Sequence, residues 1–168
     1  MTTRGVILTA AKADVTICDV FGYIPTGLIP VNGKPVIYYI IKQFYKSGIK
    51  DITIGVDYKK NKIKSIIDLY FSNSIKINYV LTNKSKKPGN SLLKILNSFD
   101  GGGVVVNLAD TYIKDLSLEN LANTLVVSDN FSDGRRWSSV SLDDSDKIIE
   151  FFNKKKLYDN QFVLTGVY

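Results

Sequence analysis

The sequence predicts an α/β fold: a parallel, doubly wound sheet with added β structure in its last third. Strand-like and helix-like stretches alternate over the first two thirds of the 168 residues. Such alternation builds βαβ units, whose right-handed crossovers require a parallel sheet. From about Thr124 onward the pattern changes to four strand-like runs. No internal repeat and no linker divides the chain, so residues 1–168 read as a single domain.

The elements follow in order. "GVILTA" (Gly5–Ala10) is a short β-branched run that reads as a buried strand. Ala11 to Lys34 is polar and mixed, holding Asp14, Asp19, Gly22, Pro25, Gly27 and Gly33, and reads as a long loop. Pro35 suits the first turn of a helix. Ile37, Ile40, Ile41 and Phe44 then recur on one helical face, and Gly48 suits the C-terminal cap.

"DITIGV" (Asp51–Val56) is the second strand, and a second amphipathic helix presents Ile63, Ile66, Ile67 and Tyr70. "IKINYVL" (Ile75–Leu81) is the third strand. The basic loop "KSKKPGN" (Lys84–Asn90) opens a helix carrying Leu92, Leu93, Ile95 and Leu96. "GVVVNLAD" (Gly103–Asp110) is an apolar strand ending in a carboxylate. "SLENLANT" reads as a short helix capped by Ser117. "TLVVS", "WSSVSL", "KIIEFF" and "FVLTGVY" are the four late strands.

Composition narrows the function classes. The chain is 45% hydrophobic and 23% charged, enough to bury a core. No apolar run reaches the roughly 20 residues that span a bilayer, and no signal-like apolar core follows the N-terminus. The expected setting is therefore cytoplasmic. Cys18 is the only cysteine and there is no histidine. An intrachain disulfide, histidine triads and histidine metal ligands are excluded. Any metal must use oxygen ligands, which favours magnesium or calcium. The net charge of +6 comes without a basic stripe interleaved with aromatics, so nucleic acid is not the expected partner.

In an open α/β sheet, ligands bind beyond the carboxyl ends of the strands, near the switch in strand order. The loop after the first strand, the "KKPGN" loop and Asp110 should gather there. Asp110 is placed to hold magnesium, or simply to cap the next turn. Gly89 allows close backbone approach, with Asn90 and Ser91 beside it at a helix start. Lys34 and Lys154 either reach phosphate or stay in solvent. Trp137 and the tyrosines read as core or rim. No G-x-G-x-x-G follows the first strand, and Asp57 after the second gives only a weak ribose acid, so a dinucleotide-binding dehydrogenase is a poor fit.

The stretch "PTGLIPVNGKPVIYYIIKQFYKSGIKDITIGV", continued by "INYVLT", "KKPGNSLLKIL" and "GGVVVNLADTYI", resembles the sugar-1-phosphate nucleotidyltransferases. These are the nucleotide-sugar pyrophosphorylases, such as the glucose-1-phosphate thymidylyltransferases. The resemblance runs on more weakly through "SDKIIEFFNKKK" to "FVLTGVY". It implies a Rossmann-like sheet of the nucleotide-diphospho-sugar transferase type. It also implies a nucleoside triphosphate and a sugar phosphate as substrates, with magnesium. By resemblance, Leu8, Thr9, Ala10, Ala11, Lys12, Thr82, Gly89 and Asn90 fall at nucleotide-binding positions. Asn153, Thr165 and Gly166 fall at sugar-binding positions, Asp110 at the metal position and Lys154 at a catalytic one, while Lys34 is expected to join the catalytic residues as a replacement cation.

Several matched positions depart from the family pattern. The family's first loop is G-x-G-T-R; here it is "AAKADVT", with Ala11 or Lys12 and Ala13 or Asp14 for the glycines. Val15 or Thr16 stands for the arginine. The family's Pro-Lys pair is Pro25-Thr26, its glutamine after the third strand is Thr82, and its E-K-P is Asn153-Lys154-Lys155. Family members also continue past the position of Tyr168 and supply a second metal-binding aspartate. The sequence therefore reads as a fragment, a minimal version or one piece of a larger assembly. Two functions stay open. One is a divergent enzyme using Asp110 with Lys12, Lys34 and Lys154 as cations. The other is a degenerate regulatory or scaffold subunit, acting through protein subunits or as a homo-oligomer. Such domains occur in GDP-mannose pyrophosphorylase assemblies and in the exchange factor of translation initiation.

Overall fold

The computed structural model describes residues 3–9, 13–57, 59–71, 75–82, 88–118, 123–130, 134–157 and 160–168. They form two compact units, Met1–Ala122 and Asn123–Tyr168.

The first unit is built on four parallel strands: β1 (Thr3–Leu8), β4 (Asp51–Val56), β5 (Lys76–Leu81) and β6 (Gly103–Leu108). Their spatial order is β5-β4-β1-β6. The chain steps outward from β1 to β4 to β5, then crosses back to place β6 on the other side of β1. The order therefore reverses between β1 and β6, whose register runs from Thr3↔Gly103 to Leu8↔Leu108.

Helix α2 (Val36–Lys46) covers one face of this sheet, with Ile37, Ile40, Ile41 and Phe44 almost fully buried as their spacing predicts. Each such side chain contributes about 1.5–3 kcal/mol relative to exposure. Pro35 is its N-cap, and Gly48 follows its end at φ +78°, a left-handed position that favours glycine. Helix α3 (Lys60–Phe71) buries Ile63, Ile67 and Phe71. Helix α4 (Pro88–Leu96) packs on the opposite sheet face, where Ile95 approaches Gly55.

At the amino edge of the sheet, Asp51 is a hub. Asn78 Nδ2 donates to its carboxylate at 3.0 Å, Lys76 stands at 3.5 Å and Arg4 at 3.6 Å. The Arg4 guanidinium also lies 4.8 Å from the Phe99 ring. This network joins β1, β4 and β5 at the edge away from the strand-end loops.

The segment Ala11–Lys34 departs from the loop expectation. Its described part holds α1 (Val15–Phe21), a 3₁₀ turn (Thr26–Leu28) and a small hairpin of β2 (Pro30–Val31) and β3 (Lys34–Pro35). Asp14, read as loop punctuation, is the N-cap of α1. Its carboxylate accepts from Thr16 N at 3.1 Å and Thr16 Oγ1 at 2.9 Å. Helix α1 buries none of its residues, so it shows no apolar period. Residues 119–122 of the expected "SLENLANT" helix and 84–87 of the basic loop lie outside the described residues. Ser117 and Leu118 are not helical.

The second unit is an antiparallel sheet in the order β7-β10-β8-β9: β7 (Val127–Ser128), β10 (Gln161–Leu164), β8 (Ser138–Leu142) and β9 (Ile148–Asn153). The run "TLVVS" keeps only two strand residues. Val126 extends the contact by accepting Thr165 N and donating to Val167 O. Among the described residues of this sheet, Ser139, Val140 and Val163 are almost fully buried.

Candidate functional site

The carboxyl ends of the parallel strands are tied together one residue beyond each strand. Thr9 N donates to Gly55 O at 3.0 Å, Thr82 N to Val56 O at 2.9 Å, and Ala109 N to Leu8 O at 3.1 Å. The Thr9 hydroxyl also donates to Gly55 O, at 2.7 Å, and the Thr82 hydroxyl to Val56 O, at 3.3 Å. Each threonine thus gives both its donors to a single carbonyl of β4. Thr9 and Thr82 are buried, and Leu8 is 8% exposed at the end of β1.

Of the expected nucleotide positions, Leu8 and Thr9 stand at the reversal of strand order and Thr82 two strands away. Gly89 and Asn90 occupy the exposed first turn of α4, where a Cβ on Gly89 would meet nothing within 4 Å. Ala10, Ala11 and Lys12 lie outside the described residues.

Asp110 is exposed on the tight turn that closes β6, directly across from the end of β1. Thr111 N donates to Leu108 O at 3.0 Å and Thr111 Oγ1 to Asp110 Oδ1 at 3.4 Å. Two supports of this turn have no signature in the sequence. A Cβ on Gly27 would stand 3.0 Å from Ala109 Cβ, so the 3₁₀ turn packs against the residue before Asp110. Gln43, midway along α2, donates from Nε2 to Ile113 O at 3.0 Å and to Leu116 O at 2.9 Å, pinning the chain after Asp110 to the helix. A glutamine directly after Lys42 reads as solvent-facing, and only its partners reveal the role.

Lys34 sits on β3 with Nζ 4.1 Å from the Tyr38 ring centroid and 5.3 Å from that of Tyr70. Hydrogen bonding by the Lys34 ammonium, outweighing slight desolvation and helped by the charges of Lys34 and Lys42, holds the Tyr38 hydroxyl below its ordinary value. Tyr39 and Tyr112 approach at 5.4 Å between centroids, a second contact between α2 and the segment after Asp110.

In the second unit, Asn153 ends β9 and accepts from Ser138 Oγ at 3.4 Å. Lys154 follows in the left-handed region, φ +52°, with its N–H on Trp137 O at 3.0 Å. Thr165 repeats the threonine arrangement: N and Oγ1 both donate to Val126 O, at 3.1 and 2.7 Å. Gly166 is buried at φ +91°.

The fold and the placement of Asp110 define a doubly wound α/β domain with an exposed carboxylate at its strand-order reversal. Comparison with known proteins supplies the family. The family model described as "Nucleotidyl transferase" matches residues 23–168, and the chain belongs to that family. The match begins beyond β1, the first loop and α1, where the departures from the expected phosphate loop are concentrated.

The chain is 27% identical over 150 residues to D-glycero-alpha-D-manno-heptose 1-phosphate guanylyltransferase of Campylobacter jejuni, covering 85% of this chain and 64% of that protein. It is 30% identical over 148 residues to the bifunctional protein GlmU of Methanococcus maripaludis, covering 86% of this chain but 34% of that one. The chain thus spans from about one third to under two thirds of these relatives. Among solved structures, a putative glucose-1-phosphate thymidylyltransferase from Bacillus anthracis superposes with a TM-score of 0.84 at 19% identity. That match covers 98% of this chain and 70% of the other, and shows a shared fold.

Proposed function

We propose that this domain transfers a nucleotidyl group from a nucleoside triphosphate to a sugar 1-phosphate. The observation that carries the reading is Asp110, exposed on a braced turn at the reversal of strand order, where open α/β sheets take their ligands. In the reaction the sugar-phosphate oxygen attacks the α-phosphorus, and pyrophosphate leaves.

The described residues contain no group of three or more His, Cys, Asp or Glu side chains able to cage a metal. A resident metal centre therefore does not fit them. A magnesium ion that arrives on the triphosphate does fit, because such an ion keeps its waters and phosphate oxygens and takes one or two protein carboxylates. Asp110 would hold it, and the ion would supply charge neutralisation at the phosphates.

The chain's own residues supply the rest. Leu8, Thr9, Thr82, Gly89 and Asn90 are the proposed nucleotide contacts, and Ala10, Ala11 and Lys12, outside the described residues, are assigned to the same role by resemblance alone. Lys34 serves as a phosphate cation by leaving the Tyr38 ring, an exposed cation–π contact worth only about 0.5–1 kcal/mol. In the second unit Lys154 is the proposed cation for the sugar phosphate, with Asn153, Thr165 and Gly166 as sugar contacts. Among the described residues no helix is long and apolar enough to cross a membrane.

One observation favours a non-catalytic alternative. Where the family pattern has an arginine-bearing phosphate loop, Asp14 caps a helix and brings negative charge. A missing oriented donor of this kind costs about 10²–10³ in rate. The deciding experiment incubates the protein with magnesium, each nucleoside triphosphate and a panel of sugar 1-phosphates, and measures pyrophosphate. Release above that of an Asp110→Ala control supports transfer. Release equal to that control assigns the domain to a regulatory or scaffold role.

A further inference from the structure

Strand β9 ends its sheet, pairing with β8 and, among the described residues, with nothing on its other side. It is also apolar and outward-facing: Ile149 is 67% exposed and Phe151 62% exposed. An exposed apolar edge strand offers unpaired backbone groups to another strand.

The charges at its two ends indicate what kind of strand fits. Asp143, Asp144 and Asp146 precede it, with Lys147 the one cation among them; Lys154, Lys155 and Lys156 follow it. Asp143 is committed locally, accepting from Ser145 N and Lys147 N at 2.9 Å each. Asp144, Asp146, Lys155 and Lys156 are exposed. Six strand residues hold the two charged ends about 20 Å apart. Screening acts over about 8 Å at physiological salt, so the ends cannot neutralise one another within one copy.

We infer that β9 pairs antiparallel with β9 of a second copy of this chain, extending the sheet across a two-fold axis. Antiparallel self-pairing lays the acidic end of each copy on the basic end of the other. Parallel pairing would set acid on acid and base on base. A two-fold axis perpendicular to the sheet requires residues of equal parity to face each other. The register centred on Phe151 meets that condition. It sets Phe151 against its own mate and Glu150 opposite Phe152, and brings the acidic turn before each β9 toward the lysines that follow the other. The alternative centred on Glu150 would oppose two carboxylates at the axis. Cross-strand neighbours stand about 5 Å apart, within reach for aromatic and ion pairs alike. Ile149 is the extra residue of a bulge against β8, which leaves the straight ladder to Glu150–Asn153.

The test is sedimentation equilibrium of the whole chain from micromolar to near-millimolar concentration, at low and high salt. A monomer–dimer equilibrium weakened by salt is expected. Phe151→Glu, at an exposed position, should raise the dissociation constant at least about tenfold while leaving the thermal melt unchanged. A chain carrying Asp144→Lys and Asp146→Lys, and another carrying Lys155→Glu and Lys156→Glu, should each fail to self-associate. Mixed, they should form a heterodimer. A wild-type chain that stays monomeric overturns the proposal. So does a dimer indifferent to Phe151→Glu, or reversed chains that do not pair.

Discussion

Phe44 occupies the space that a side chain on Gly5 would need: a Cβ built on Gly5 stands 2.3 Å from Phe44 Cδ2. The glycine in β1 and the aromatic ring on α2 are therefore one packing unit. Gly5→Ala is expected to destabilise the protein by about 3 kcal/mol, at the upper end of overpacking costs. Phe44→Leu alone leaves a cavity and also destabilises. Combined with Gly5→Ala, it should recover part of the loss, giving a coupling energy in a double-mutant cycle read by urea denaturation. Additive effects would show that the two sites do not share one space.

The Gln43 clamp predicts a local effect. Gln43→Leu removes two hydrogen bonds to the chain after Asp110, at a net cost of about 1–2 kcal/mol. Hydrogen exchange should quicken in Thr111–Leu118 and remain slow in β1 and β4. Uniform quickening over the sheet would indicate a loss of global stability instead.

Much of the scaffold was legible in the sequence, and the reason is period. Ile37, Ile40, Ile41 and Phe44 mark α2 because a helix packed on one side repeats every three to four residues. The runs at Asp51–Val56 and Gly103–Leu108 mark buried strands because parallel sheets are covered on both faces. Helix α1 escaped the same reading because it buries nothing: Val15 and Val20 are more than 70% exposed. Its one signal was Asp14 two residues before Thr16, a capping arrangement that looks the same as loop punctuation. In the site, Asp110 could be found because a carboxylate closing an apolar run stands out. Gly27 and Gln43 could not, because their partners lie 82 and at least 70 residues away along the chain.

Gly27 offers a functional test. Gly27→Ala brings a methyl 3.0 Å from Ala109 Cβ, and one backbone must yield. Displacing the Asp110 turn should lower pyrophosphate release about tenfold or more, with a smaller effect on the melting temperature. Thr111→Ala, which loses only a 3.4 Å contact to the carboxylate, should change release by less. The reverse ranking would refute the view that the packing of Ala109 positions Asp110.

Alkaline titration separates two tyrosines. Tyr79 donates to Asp68 Oδ1 at 3.1 Å. Desolvation, followed by the charge and hydrogen bond of Asp68, raises it above the ordinary value of 10.0. A group raised in the folded state stabilises fully below its unfolded value and loses that contribution as pH climbs through the folded one. Stability should therefore fall above about pH 10, and Tyr79→Phe should flatten that limb. Tyr38 is lowered, so its contribution has the opposite sign: present above its unfolded value and lost as pH drops through the folded one. Ultraviolet titration should show Tyr38 ionising before Tyr79. Lys34→Met should move the early phase back toward the ordinary range.

The threonines that follow β1 and β5 have a practical consequence. Each spends its amide and its hydroxyl on one carbonyl of β4, so the sheet is sealed before the loops begin. Whatever chain leaves Thr9 or Thr82 starts from a finished border and owes that border no further bonds. Loops can then be exchanged like fittings on a standard flange. A glycine-rich, arginine-bearing segment can be spliced in after Thr9, and pyrophosphate release by the resulting chimera would measure how much catalytic capacity the framework retains.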